Sequence, residues 1–129
     1  MNGSQRSFIL TSALLGALAV GLGAFGAHGL KSIVSAEMLL VWETAVRYHL
    51  AHTLAIFICA TATPLWQSPW ARRAAIAWII GIAFFSGSLY ALVLSDIRIL
   101  GAITPFGGVF LILGWIFLGL SAYKCEPAQ

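Results

Sequence analysis

Four stretches of this chain stay apolar for about 20 residues apiece, the length of helix that crosses a hydrocarbon core. They run from about Phe8 to Ala27, Val46 to Leu65, Ala74 to Leu94 and Ile99 to Ala122. Backbone N–H and C=O groups cannot go unpaired in lipid, so runs of this kind become helices or barrel strands. None alternates as a barrel strand does, and all four read as helices. The predicted fold is all-α: an integral membrane, antiparallel four-helix bundle forming a single domain over residues 1–129. Composition agrees, with 60% hydrophobic and only 9% charged residues, against roughly a quarter charged in a soluble domain.

The first run, preceded by Arg6, resembles a secretory signal with a small-residue site at Ala17–Ala19. It continues past that site to about Ala27, longer than a signal core, and reads as a retained first span. The second helix is expected to begin outside the bilayer near Ala36, where Ser35 can cap it and Glu37 complements its dipole. It should run through WETAVRYHLAH to about Thr63 and stop at Pro64. Stripes of small residues four apart, such as Ala13, Ala17 and Gly21, or Ala83, Gly87 and Ala91, suit close helix packing. Gly29 is expected to cap the first helix, and Gly107 and Gly108 to mark a kink or a close contact.

The net charge of +3 does not point to nucleic acid. The basic residues fall singly or as the Arg72–Arg73 pair beside apolar spans, a pattern of topology determinants rather than a phosphate-binding stripe. The N-terminus, second loop and C-terminus carry Arg6, Arg72, Arg73 and Lys124; the opposite side carries Lys31, Arg47 and Arg98. That bias places both termini in the cytoplasm, with Trp66 and Trp70 as headgroup anchors. Cys59 reads as a structural thiol, and pairing with Cys125 in the polar tail is not expected.

Threading four antiparallel spans brings His28, Glu43, Arg47, Tyr48, His49, His52, Ser86, Tyr90, Asp96, Arg98 and Thr104 to one side of the membrane. Glu43 and Arg47 are four apart, the favourable order for an ion pair that fixes helix two. Ionisable groups inside a membrane are costly, so His52 and Arg47 should face the bundle. His49 and His52, three apart, with His28 or Glu43 as a further donor, are the candidates for a metal site. No HExxH or Cys/His framework accompanies them, so histidines that tie helices together are the preferred reading. The templates of catalysis are missing: there is no G-x-S-x-G, no phosphate loop and no CxxC.

Four collinear pieces carry a resemblance: LGAFGAHGL (Leu22–Leu30), ETAVRYHLAHTLAI (Glu43–Ile56), FSGSLYAL (Phe85–Leu92) and the stretch from LGAITPFGG to GW (Leu100–Trp115). Together they resemble the small bacterial inner-membrane proteins typified by YgdD and YwdK, a domain of unknown function with a small eukaryotic relative. The resemblance implies a four-helix inner-membrane protein with no established reaction. It implies recurring polar positions at His28, Glu43, Tyr48, His52, Ser86, Ser88, Tyr90, Thr104 and Pro105. In such proteins position 49 is often not histidine, which moves weight onto His28 and His52.

The expected function is that of a small multi-pass inner-membrane protein, not an enzyme and without a cofactor. Its polar cluster would tie helices together and offer a surface to a lipid, a small ligand or a partner subunit. Its expected partners are the bilayer and either a second copy or another membrane subunit. The alternatives are a small dimeric transporter, against which stands the lack of a carboxylate in the first span, and a metal or redox accessory protein built on the histidines.

Overall fold

The computed structural model describes residues 1–125. Five α-helices form among them: α1 (Gly3–Phe25), α2 (Ala36–Thr61), the single turn α3 (Thr63–Trp66), α4 (Pro69–Ser95) and α5 (Thr104–Tyr123). A π-turn, Gly26–Leu30, prolongs α1, and a 3-10 turn, Arg98–Ala102, leads into α5. No strand occurs among the described residues.

Four spans were expected, and three segments are long and apolar enough to cross a membrane: Gly3–Leu30, Pro69–Ser95 and Arg98–Tyr123. The remaining long helix, α2, has 26 residues but carries Glu37, Glu43, Arg47, His49 and His52 along its length. These polar side chains lower its hydropathy, and they also make it the centre of the molecule. Helix α2 packs on α1 and on α4, and α4 packs on α5.

Contacts fix the directions. The Gln5 side chain donates to the Ala60 carbonyl (3.1 Å), and the Trp42 indole N–H donates to the Leu22 carbonyl (2.8 Å). The start of α1 therefore meets the end of α2. The Ser86 hydroxyl donates to the Ala45 carbonyl (2.7 Å) and the Cys59 thiol lies against the Ala71 carbonyl (3.6 Å), so α4 runs antiparallel to α2. Helix α5 returns along α4 with Gly107 against the Phe85 backbone, Leu111 against Gly81 and Gly114 against Trp78. Any side chain at Gly107 would drive into the Phe85 main chain, so this glycine is a close contact rather than a kink. Phe8 packs edge-on against Trp66 (5.1 Å), and the Ser121 hydroxyl donates to the Leu65 carbonyl (3.0 Å). The start of α1 and the end of α5 thus meet at the α2–α4 connection.

Local chemistry sets the helix ends. Asn2 and Gln5 form a reciprocal capping box (2.8 and 3.0 Å), which starts α1 five residues before the apolar run. Ser35 caps α2 as its sequence position suggests, accepting from the Met38 N–H (3.2 Å). Ala62 leaves helical geometry (ψ 86°), and Pro64 sits in the first turn of α3, where its missing N–H costs nothing. The fourth expected span is likewise interrupted: the 3-10 turn closes at Ala102, and α5 starts afresh at Thr104 with Pro105 in its first turn. Gly29 is not a left-handed cap; no glycine has positive φ, and the helix widens into a π-turn instead. Trp66 is a correction of a different kind. It is buried at 5% exposure under Phe8, so its ring packs into the bundle rather than lying open on the surface. Trp70 does sit at that end, with Arg73 (4.5 Å) and Lys124 (5.2 Å) over its ring.

Candidate functional site

Along α2, the side chains at Trp42, Ala45, His49, His52, Ile56 and Cys59 are all buried. They alternate in steps of three and four, which keeps them on one face of a helix. This face is apolar at both ends and polar in the middle, where three neighbouring helices close on it.

His52 is 6% exposed and fully engaged. Its Nδ1 lies 2.7 Å from the Tyr48 carbonyl, and the Trp115 indole N–H approaches its Nε2 at 3.1 Å. A carbonyl only accepts and an indole N–H only donates, so Nδ1 carries the hydrogen and Nε2 is the free lone pair. The imidazole is neutral and holds α5 to α2. Trp78 completes the packing at 6.5 Å from the His52 ring and 5.1 Å from Trp115.

One turn earlier, His49 is buried at 2% exposure, with Nδ1 3.1 Å from the Tyr90 hydroxyl of α4. Tyr90 in turn lies against the Trp42 ring at 4.7 Å. Among the described residues, the Nε2 atom of His49 and the indole nitrogen of Trp78 are buried side-chain nitrogens that find no partner within hydrogen-bond geometry. The Ser88 hydroxyl donates to the Phe85 carbonyl (3.0 Å) and lies 2.7 Å from the Thr104 hydroxyl, stitching α4 to the first turn of α5.

The expected one-sided cluster therefore divides in two. His52, Ser86, Tyr90 and Thr104 are bonded between helices, as is His49. His28, Glu43 and Arg47 are exposed on the outer surface, and Tyr48 is 42% exposed while packing on Phe85 at 4.6 Å. The Glu43–Arg47 ion pair does not form: the single pair within 4.0 Å among the described residues is Arg98–Asp96 (3.9 Å), out in solvent at the α4–α5 connection. Asp96 takes the left-handed conformation (φ 55°) that an aspartate tolerates after a helix. Glu43 and Arg47 instead line, with Trp42, Val46, Gly23 and Gly26, a groove of about 310 Å³ between α1 and α2.

The three histidines do not converge. No group of three His, Cys, Asp or Glu side chains among the described residues could hold a metal ion together. His28 is exposed within the π-turn, while Gly26 of the same turn packs closely under Trp42. The importance of His49 over His28, and of Trp42, Trp78 and Trp115, was the part that sequence reading passed over. The three-four spacing of the buried face of α2 was the signal that could have found His49 and Trp42.

Several apolar helices long enough to cross a bilayer, joined by a buried seam of histidine, tyrosine and tryptophan, define a multi-pass helical membrane protein. The comparisons with known proteins place it more narrowly. The chain belongs to the family described as Protein of unknown function (DUF423), whose model matches residues 22–108. It is 48% identical to a UPF0382 membrane protein of Staphylococcus aureus over 124 residues, covering 93% of this chain and 98% of that one. It is 45% identical to the UPF0382 membrane protein YwdK of Bacillus subtilis over 122 residues, covering 93% and 98% of the two chains. A UPF0382 membrane protein of Haemophilus influenzae is 38% identical over 122 residues, with 95% and 98% covered. No solved structure matches the chain.

Proposed function

We propose that this is a non-catalytic, four-span protein of the cytoplasmic membrane that works as an assembled pair, the α1–α2 face of one copy closing on the same face of another. The observation that carries this is the state of Glu43 and Arg47. They are opposite in charge, one helical turn apart, exposed and unpaired with each other. At 1.5 Å per residue α2 is about 39 Å long, so in a hydrocarbon core about 30 Å thick a centred α2 buries Glu43 by about 6 Å and Arg47 by about 12 Å. A charge near mid-helix costs about 2.5–3.5 kcal/mol on insertion scales, and such groups find partners. Two copies related by a twofold axis supply them reciprocally, Glu43 of each facing Arg47 of the other.

The same reading makes α2 the fourth span, its polar face shielded by α1, α4 and α5. It puts both termini in the cytoplasm, beside Arg6, Arg72, Arg73 and Lys124, and the Glu43 end towards the outer leaflet.

The test is a charge exchange in the full-length protein, read by the oligomeric state in detergent and in nanodiscs. Glu43→Arg and Arg47→Glu alone should each leave monomers, and the double exchange should restore the dimer. A wild-type monomer, or a double variant as monomeric as the singles, would overturn the pairing; in the latter case a zwitterionic lipid headgroup becomes the better occupant of the groove.

A further inference from the structure

The connection from α2 to α4 and the end of α5 border a pocket of about 560 Å³, lined by Thr63, Gln67 and Ser68 on one side and Lys124 on the other. Small-ligand sites run from about 300 to 1,000 Å³. The two walls are tied together: the Ser121 hydroxyl donates to the Leu65 carbonyl (3.0 Å), and the Cys125 thiol lies against the Pro64 carbonyl (3.6 Å). The polar side chains of the lining are donors. Thr63 and Ser68 bring hydroxyls, Gln67 an amide and Lys124 an ammonium, and no carboxylate of the described residues lies among them. Ser68 uses an oxygen lone pair to accept from the Trp70 N–H (3.3 Å), which leaves its hydrogen to donate.

Charge among the described residues at this end has one sign. The Arg73 guanidinium lies 4.5 Å and the Lys124 ammonium 5.2 Å from the centre of the Trp70 ring. The two cations thus stand within about one Debye length of each other, roughly 10 Å at 0.1 M salt, and their fields add. Among the described residues neither is within 4.0 Å of a carboxylate, and Glu37, Glu43 and Asp96 stand at the opposite end of the helices. We infer that this pocket binds the phosphodiester headgroup of an anionic glycerophospholipid such as phosphatidylglycerol. Ser68, Gln67 and Lys124 hold the phosphate, and Arg73 adds its charge across the Trp70 ring. A headgroup carrying its own ammonium brings a third cation beside these two and is disfavoured.

Depth selects a lipid over a free anion. Helix α4 has 27 residues, about 40 Å at 1.5 Å per residue, and a hydrocarbon core is about 30 Å thick. Centred in it, α4 carries Pro69 about 5 Å past the core, at headgroup level. The neighbouring apolar segment closes at Tyr123, one residue before Lys124, and Trp70 suits the same interface. The bilayer therefore holds phosphodiesters beside the pocket at all times. Lys124 is exposed, and its flexible stem lets the ammonium move from the Trp70 ring to a phosphate in the pocket.

The test uses full-length protein in a nonionic detergent, read by native mass spectrometry with dioleoyl phosphatidylglycerol and, separately, dioleoyl phosphatidylcholine. One phosphatidylglycerol per chain is expected to stay bound, about tenfold tighter than phosphatidylcholine. Lys124→Glu should abolish that preference. Arg6→Glu makes the same change in net charge on another helix, outside the lining, and should leave the preference within about twofold of the wild type. Both positions are exposed, so both variants should melt with the wild type. Inorganic phosphate at the concentration of the lipid should leave the adduct in place. Equal binding of the two lipids, equal losses in Arg6→Glu and Lys124→Glu, or displacement of the lipid by phosphate would overturn the site. None of these results bears on the charge-exchange dimer, since Glu43 lies towards the other end of α2.

Discussion

At the scale of single residues, the molecule is held by a few hydrogen bonds made where no water is available to replace them. Ser86 is completely buried and its hydroxyl reaches a main-chain carbonyl of the neighbouring helix. Such interhelical bonds average about 0.6 kcal/mol in membranes and reach about 1.7 kcal/mol. Ser86→Ala should therefore lower stability by about that much, measured by reversible unfolding in mixed detergent micelles. Trp115→Phe keeps the ring and removes one donor, leaving His52 Nε2 unpaired beside Trp78. Its expected cost is about 1 kcal/mol, and an unchanged unfolding midpoint would show that His52 does not join α5 to α2. Gly107→Ala acts by volume alone. Its Cβ meets the Phe85 backbone, which cannot rotate away, so α4 and α5 must separate locally at a cost of about 1–3 kcal/mol.

At the scale of the elements, α2 behaves unlike its neighbours because its polar residues split between two faces. The inner face pairs with α4 and α5, while Glu43 and Arg47 remain outside. Trp42 ties the start of α2 to the π-turn of α1: its indole N–H takes the Leu22 carbonyl and its ring fills the space over Gly26. Trp42→Phe should release that carbonyl and let the turn loosen. Amide exchange at Gly26–Leu30 is expected to accelerate at least tenfold while exchange at Ala74–Ile82 does not change. Uniform acceleration would mean that Trp42 supports the whole bundle rather than this junction.

Much of this arrangement was legible in the sequence. Ser35 and Pro64 located α2 closely, because capping and proline chemistry are local, whereas α4 starts at Pro69, ahead of its apolar run. The first helix began earlier than its hydropathy, since Asn2 and Gln5 cap each other and form a turn that no apolar pattern records. The site was harder to read. His52 meets Trp115 across 63 residues, and His49 meets Tyr90 across 41. Such partnerships depend on which face each helix turns inward, and proximity to one membrane side does not reveal that. His28 looked as promising as His49 by residue type, yet it lies exposed in the π-turn while His49 is buried.

At the scale of the whole molecule, the start of α1 and the end of α5 gather with four basic residues at the α2–α4 connection, while the opposite end mixes Lys31, Arg47 and Arg98 with Glu37, Glu43 and Asp96. That asymmetry orients the bundle only if α2 crosses the bilayer as a full span, and the proposed dimer depends on the same crossing. Cysteine accessibility measures it directly. In a background carrying Cys59→Ala and Cys125→Ala, Ser35→Cys and Gln67→Cys place one thiol at each end of α2, to be labelled with a membrane-impermeant maleimide in right-side-out vesicles. The account predicts that the thiol at position 35 is modified at once and that at position 67 only after the vesicles are opened. Equal labelling of the two in sealed vesicles would show that α2 lies on one side of the membrane, and would contradict the account at its centre.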